Sequence, residues 1–356
     1  MKLTEKVQRR TRNALICLTI ICLTPLCEKG RILSGAHSVN AYAGEELICA
    51  IDLGNEMYSR HGLETGLNYR LLGEFAKANH CNVKIITAGK DENYTDSLRQ
   101  GKIDLVITAD TALDGLSVLS KIGEHSSWAL GGSDRNKVRQ MNGWIGHIKA
   151  SGELQRLQDL YSAPYDPHKR AENGVVTSVV SPYDEIIRKH AGTLGWDWRM
   201  IAAIVWQESK FAIGSRSFRG AEGLMQVMPQ TGRYYGIDNL IDPEQNIIAG
   251  TRHLGRLQKM FRTQDIPQEE LIKFTLAAYN AGEGRISDCR NLAQAKGYDS
   301  NRWEETVKVI PMMRDDSILE EETVKHGKFQ GHETIDYVES VMSHYKAICQ
   351  ICPTSF

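Results

Sequence analysis

Neither sign of charge dominates this sequence: 43 lysines and arginines face 44 aspartates and glutamates, a formal net charge of −1. That balance excludes nucleic-acid binding through bulk charge, so any partner has to be recognised by a local site. Internal repeats and low-complexity tracts are absent as well. Cysteine is scarce and oddly numbered. Of the eight, Cys17, Cys22 and Cys27 lie in the N-terminal segment, which leaves Cys49, Cys81, Cys289, Cys349 and Cys352, a set that cannot pair fully within one chain. Cys349 and Cys352 form a CxxC with no second ligand pair and no βαβ setting, so a zinc or redox site is not expected. A terminal disulfide or free buried thiols are the plainer readings. His190 has no partner at metal-ligand spacing. A hydrophobic run of comfortable membrane-spanning length is also missing: the apolar stretch Ala14 to Cys27 is too short.

What the N-terminus does have is the order of an export signal. Lys2, Lys6, Arg9, Arg10 and Arg12 precede that apolar stretch. Ala41-Tyr42-Ala43 and Ser34-Gly35-Ala36 both fit a small-x-small processing point. Cys27 stands where a lipidated cysteine would, although Leu26 is bulky for that motif, and an uncleaved anchor is a third reading. Residues 1–43 are therefore expected to act as a signal or lipoprotein signal. That places the protein in the periplasm, with membrane association through the N-terminus as a further expectation.

Residues 44–165 read as an α/β layer. Leu47 to Ile51 and Val83 to Thr87 are short apolar strands, and Asn68 to Asn79 has helical spacing at Leu71, Leu72, Phe75 and Ala76. Ser97 to Ile107 reads as helix end, glycine turn and strand. The alternation implies parallel strands. YRLLGEFAKANHCNVKII and LRQGKIDLVITAD resemble the first lobe of a family 3 periplasmic solute-binding domain, and SSWALGGSDRNKVRQMNGWIGHIKASGELQRLQDLY resembles its end. The stretch between Asp110 and Ser126 is far too short for a second lobe, and no arginine–aspartate pair presents itself for an amino-acid ligand. A scaffold or docking module is expected, with cell-wall synthesis or division proteins as its partners. Residues 166–180 mix proline, glycine and charge without a period and read as a linker.

Residues 181–356 read as mostly helical with long loops. Ser181-Pro182-Tyr183-Asp184 opens one helix. Asp242-Pro243-Glu244-Gln245 combines an N-cap, an N1 proline and a capping-box glutamine. Glu269 to Ala281 and Thr334 to Ile348 are further helices, while 286–330 is polar and weakly periodic, an excursion. The most informative helix begins at Asp197, a good N-cap. Ile201, Ile204, Val205 and Glu208 are spaced i, i+3, i+4, i+7 and share one face, so a glutamate ends an apolar stripe. Either the helix is leaving the core there and the side chain reaches water, or desolvation raises the carboxyl pKa and makes it a general acid. In the loop that follows, Gly220, Gly223 and Pro229 bracket Leu224 to Met228, which permits close backbone approach to a ligand.

Glu208-Ser209, GLMQVMP at 223–229, AYNAG at 278–282 and ETIDYV at 333–338 occur in order. This series resembles the soluble-lytic-transglycosylase (goose-lysozyme-like) domain. The whole order, solute-binding-like region then SPYD then this domain, is similar to that of membrane-bound lytic murein transglycosylases. The fold expected is α+β multidomain, a small α/β solute-binding-like lobe followed by a mostly α-helical lysozyme-like domain. The resemblance implies a peptidoglycan glycan strand as substrate and Glu208 as catalytic acid, then base. Ser209, Gln226, Met228, Tyr279 and Asn280 would contact substrate or line the cleft, and Tyr337 would orient Glu208. No metal or cofactor is implied. A glycosidase usually needs two carboxylates, and Glu222, Asp238 and Asp242 read better as loop and cap residues. One acid suits a transglycosylase, in which the muramic C6 hydroxyl replaces water; a lysozyme-type hydrolase and a non-catalytic murein-binding protein are the alternatives.

Overall fold

A computed structural model describes residues 40–51, 62–87, 94–108, 113, 116–122, 126–132 and 134–353. Most of the expected export signal, with Cys17, Cys22 and Cys27, lies outside them, as does Asp110. The order is β1 (Glu46–Ile51), α1 (Gly62–Asn79), β2 (Asn82–Thr87), α2 (Tyr94–Arg99), β3 (Leu105–Thr108), β4 (Ser117–Val118), β5 (Ser127–Leu130), α3 (Arg135–Ala150) and α4 (Glu153–Ser162). The sheet runs β2-β1-β3-β5-β4. β1 is parallel to β2 and β3, the expected α/β layer, whereas β5 and β4 return antiparallel. Phe75 of α1, Trp128 of β5 and Met141 and Ile145 of α3 fill the core. Buried Asn68 ties α1 to β5, accepting from Trp128 Nε1 at 2.8 Å and donating to Ser126 Oγ at 3.1 Å. Tyr42 is fully buried in the same core, and its hydroxyl donates to the Lys137 carbonyl at 2.9 Å. Residues 40–43 thus belong to this folded unit, and processing after Ala43 would remove a core ring.

The helical unit follows: α5 (Pro167–Glu172), α6 (Asp184–Ala191), α7 (Trp198–Ser209), α8 (Pro229–Tyr234), α9 (Pro243–Phe261), α10 (Gln268–Ala281), α11 (Glu283–Ala295), α12 (Trp303–Val307), α13 (Asp316–Leu319) and α14 (His332–Ile351). α7 packs on α14, α14 on α10, and α10 on α9 and α11. Ile201, Ile204 and Val205 are each fully buried, worth roughly 1.5–3 kcal/mol apiece. Asp197 caps α7 through the Arg199 amide at 2.9 Å, and Asp242 caps α9 through the Gln245 amide at 2.7 Å, both as expected. α6 starts later than read. Pro182 lies in the preceding turn, and the Asp184 carboxylate reaches back to the amides of Val180 and Ser181 at 2.7 and 2.8 Å.

Two expectations are corrected. The linker holds a helix, α5, capped by Asp166 with Pro167 at N1 and packed on α14. His168 Nε2 meets His344 Nδ1 at 2.7 Å, and His344 Nε2 meets Gln207 Oε1 at 2.9 Å, so α5 is joined through α14 to α7. The excursion at 286–330 is largely short helices. Its return is fixed by Asp288, 1% exposed, which accepts from the Lys325 and His326 amides at 2.8 and 2.7 Å. The two units touch where the Tyr69 hydroxyl donates to the Asp242 carboxylate. All five later cysteines are free thiols, and among the described residues no helix is long and apolar enough to cross a membrane.

Candidate active site

α7 carries its apolar stripe to Glu208 and stops within two residues. Lys210 and Phe211 both adopt left-handed backbone, with φ of 53° and 65°. Two such residues in succession cost on the order of 1–2 kcal/mol each. The cost is met by locking each side chain: Phe211 is fully buried 5.8 Å from the Trp206 ring, and the Lys210 ammonium lies 4.7 Å from the same ring. The chain therefore turns sharply beside Glu208.

Glu208 is only partly exposed, and burial pushes its carboxyl up to about 7; a hydrogen bond from Tyr337 and the nearby Lys210 charge pull the other way. The Tyr337 hydroxyl donates to Glu208 Oε1 at 2.5 Å. Tyr337 comes from α14, where it is buried, and burial also pushes its phenol well above its ordinary range. Tyr279, at the end of α10, stands close enough to both to feel their charge, and its hydroxyl donates to the Met225 carbonyl at 2.7 Å. Of the two readings open for a glutamate at the end of a stripe, the desolvated one describes this side chain.

The loop opposite is held from beneath by a residue that the sequence reading passed over. Asn246 on α9 is fully buried; its Oδ1 accepts from the Met225 amide at 2.8 Å, and its Nδ2 donates to the carbonyls of Glu222 and Leu240, each at 2.8 Å. The only available signal was a polar residue on the inward side of an apolar helix. Gly223 sits on this clamp. Its φ is +76°, and a Cβ there would lie 2.2 Å from the Leu240 carbonyl oxygen and 2.3 Å from Asn246 Nδ2. Gly223→Ala is accordingly expected to destabilise by more than about 2 kcal/mol, because both backbone strain and overlap oppose it; a urea unfolding midpoint equal to wild type would refute this.

The remaining candidates divide by where their polar atoms point. Asn280 is exposed and accepts from Thr334 Oγ1 at 2.8 Å, which joins α10 to the start of α14. Met228 is 42% exposed at the end of the loop. Ser209 and Gln226 are engaged within the protein. The Ser209 hydroxyl is buried and donates to the Val205 carbonyl at 3.2 Å, as serines inside helices commonly do. Gln226, at φ 48°, donates from Nε2 to the carbonyls of Ser215 and Gly223, both at 2.9 Å. That amide closes its own loop. Glu222 forms an ion pair with Arg216 at 3.1 Å, and Asp242 is a cap, in keeping with their reading as loop and cap residues.

Residues 185–301 match the family described as the transglycosylase SLT domain. Among curated relatives, the chain is similar to the membrane-bound lytic murein transglycosylase F of Desulfosudis oleivorans, 31% identical over 63% of this chain and 50% of that protein. The protein of the same name from Idiomarina loihiensis is 29% identical over 73% of this chain and 60% of that one. The chain thus spans 50% and 60% of the length of these two relatives. Among solved structures, the 70 kDa soluble lytic transglycosylase of Escherichia coli aligns with a TM-score of 0.34 at 19% identity, over 61% of this chain and 35% of that one.

Proposed function

We propose that this protein is a peptidoglycan lytic transglycosylase with Glu208 as its one acid and base. The observation that carries the reading is the Glu208–Tyr337 pair: a carboxyl near neutral pKa, held by a phenol at the end of an apolar helix face. A group half protonated near pH 7 can both give and take a proton there. Glu208 donates its proton to the glycosidic oxygen as the bond from the N-acetylmuramic anomeric carbon to that oxygen breaks. The resulting carboxylate accepts the proton of the muramic C6 hydroxyl as its oxygen bonds to the anomeric carbon. The products are a free N-acetylglucosamine 4-hydroxyl and a 1,6-anhydro end, and no water is consumed. Tyr337 positions the acid, Tyr279 and Asn280 face sugar N-acetyl groups, and Met228 lines the cleft. Ser209 and Gln226 support it by shaping the helix end and the loop. The nearby relatives' names, which include murein, support the substrate class.

The same reading assigns export to the N-terminal segment, with processing at Ser34-Gly35-Ala36 favoured by the burial of Tyr42, a periplasmic site of action, and a docking role for the sheet unit. Digestion of purified peptidoglycan by the full chain, followed by mass spectrometry, tests the chemistry. Fragments one water lighter than hydrolysis products establish the transglycosylase. Reducing ends would make it a lysozyme-type hydrolase, and intact murein would leave only binding.

The pH profile follows from the same pair. The acid must start protonated, so turnover is expected to fall as pH rises through about 7. Tyr337→Phe removes a bond that favours the carboxylate, so the falling limb should move to higher pH, with a loss of roughly tenfold in rate from the misplaced acid. A limb that stays in place would show that another group sets it.

A further inference from the structure

Tyr279 is the inner end of a run of four rings that leads away from Glu208. The His253 ring, on α9, lies 5.5 Å from Tyr279 at 53°. Tyr235 lies 6.2 Å from His253 at 60°, and Tyr234 lies 4.9 Å from Tyr235 at 86°. Burial and the Arg256 charge push the His253 imidazole down to about 4, so it is a neutral ring at neutral pH. Arg256 stands beside the Tyr235 hydroxyl and pairs with Glu283 at 2.6 Å. The outer end is different: Tyr234 is 74% exposed.

That exposure is built on a rigid base. Tyr234 ends α8, and the turn after it is closed by the Ile237 amide on the Gly232 carbonyl at 2.9 Å. Arg252 holds the Tyr235 carbonyl at 3.0 Å. A large exposed ring, continuous through ring contacts with Tyr279 near the candidate acid, has the form of a stacking platform. Pyranose rings present apolar C–H faces to such platforms, and their hydroxyls and N-acetyl groups meet flanking polar pairs such as Arg256–Glu283.

The geometry points to a distal glycan subsite formed by Tyr234 and Tyr235, with Arg256 and Glu283 as its polar rim, that grips an N-acetylated glycan strand several sugars away from the bond cut at Glu208. The inference rests on the glycan-cleaving reading above and deepens it.

The test uses the full chain in a Glu208→Gln background with the N-acetylglucosamine hexamer and dimer as probes, binding being read by calorimetry. Tyr234→Ala is expected to weaken hexamer binding about three- to tenfold and Tyr234→Phe to restore it, because stacking needs the ring and not the hydroxyl. Dimer binding, too short to reach both places, should change less than twofold. In the Glu208 enzyme the same change should raise KM for murein with little change in kcat. Hexamer affinity equal to the parent overturns the subsite, as does a Tyr234→Ala effect confined to sedimentation, which would make the ring a contact between copies. If 1,6-anhydro products form but KM is unmoved, only this inference falls. If neither cleavage nor hexamer binding occurs, the glycan reading falls with it.

Discussion

Glu208→Gln is expected to lower release of soluble fragments from peptidoglycan by about 10³-fold or more, since in the proposed reaction one side chain serves both proton transfers and general acid–base catalysis contributes roughly 10²–10⁴-fold. The same change should not unfold the protein. The folded-state pKa of Glu208 is raised from 4.5 to about 7. Its protonated form is therefore compatible with the fold at low pH, and stability is lost as pH rises through about 7, where the buried group must ionise. Glutamine removes that liability. The variant should match wild type at pH 4 and exceed it at pH 8 by an amount on the order of 2–3 kcal/mol. Mass spectrometry of the digest and thermal melts at the two pH values read both halves. A variant that retains a tenth of the activity would remove Glu208 from the chemistry.

Asn246→Ala is the second large effect. It strands the Met225 amide and the Leu240 carbonyl in a fully buried place, while the Glu222 carbonyl keeps the Val227 amide at 3.0 Å. Each unmet backbone group costs roughly 1–3 kcal/mol, so the two together are expected to cost about 2–5 kcal/mol. The Met225 carbonyl receives the Tyr279 hydroxyl, so activity at temperatures where the variant is folded should fall as well. Asn246→Asp keeps the acceptor but loses both donors and places charge against two carbonyl oxygens; it should be no better. A melting point within a degree of wild type for Asn246→Ala would show that the loop is held by other contacts.

Much of this was legible in the chain because the relevant chemistry is local. Asp197 before an apolar stripe and Asp242-Pro243 before another each state where a helix begins, and the structure starts α7 and α9 there. Asp166-Pro167 carries the same signal, yet six residues of helix are easily absorbed into a run of prolines and charges. The segment at 286–330 was opaque for another reason. Its hydrogen bonds to Asp288 come from 37 and 38 residues away, and periodicity does not record such partners. Asn246 is the same case. Glu208 itself was visible as a misplaced glutamate; that its partner is Tyr337 was implied only by resemblance, since nothing in local spacing joins residues so far apart.

The acid and its phenol are separated by 129 residues of chain, and the consequence is one of timing. A ribosome that has delivered Glu208, the glycine loop and the whole of α9 and α10 has still not delivered the hydroxyl that holds the carboxyl. An unfinished or clipped chain lacking α14 therefore has Glu208 without its support. If the proposed reaction holds, this order of synthesis withholds the Glu208–Tyr337 pair until α14 is in place.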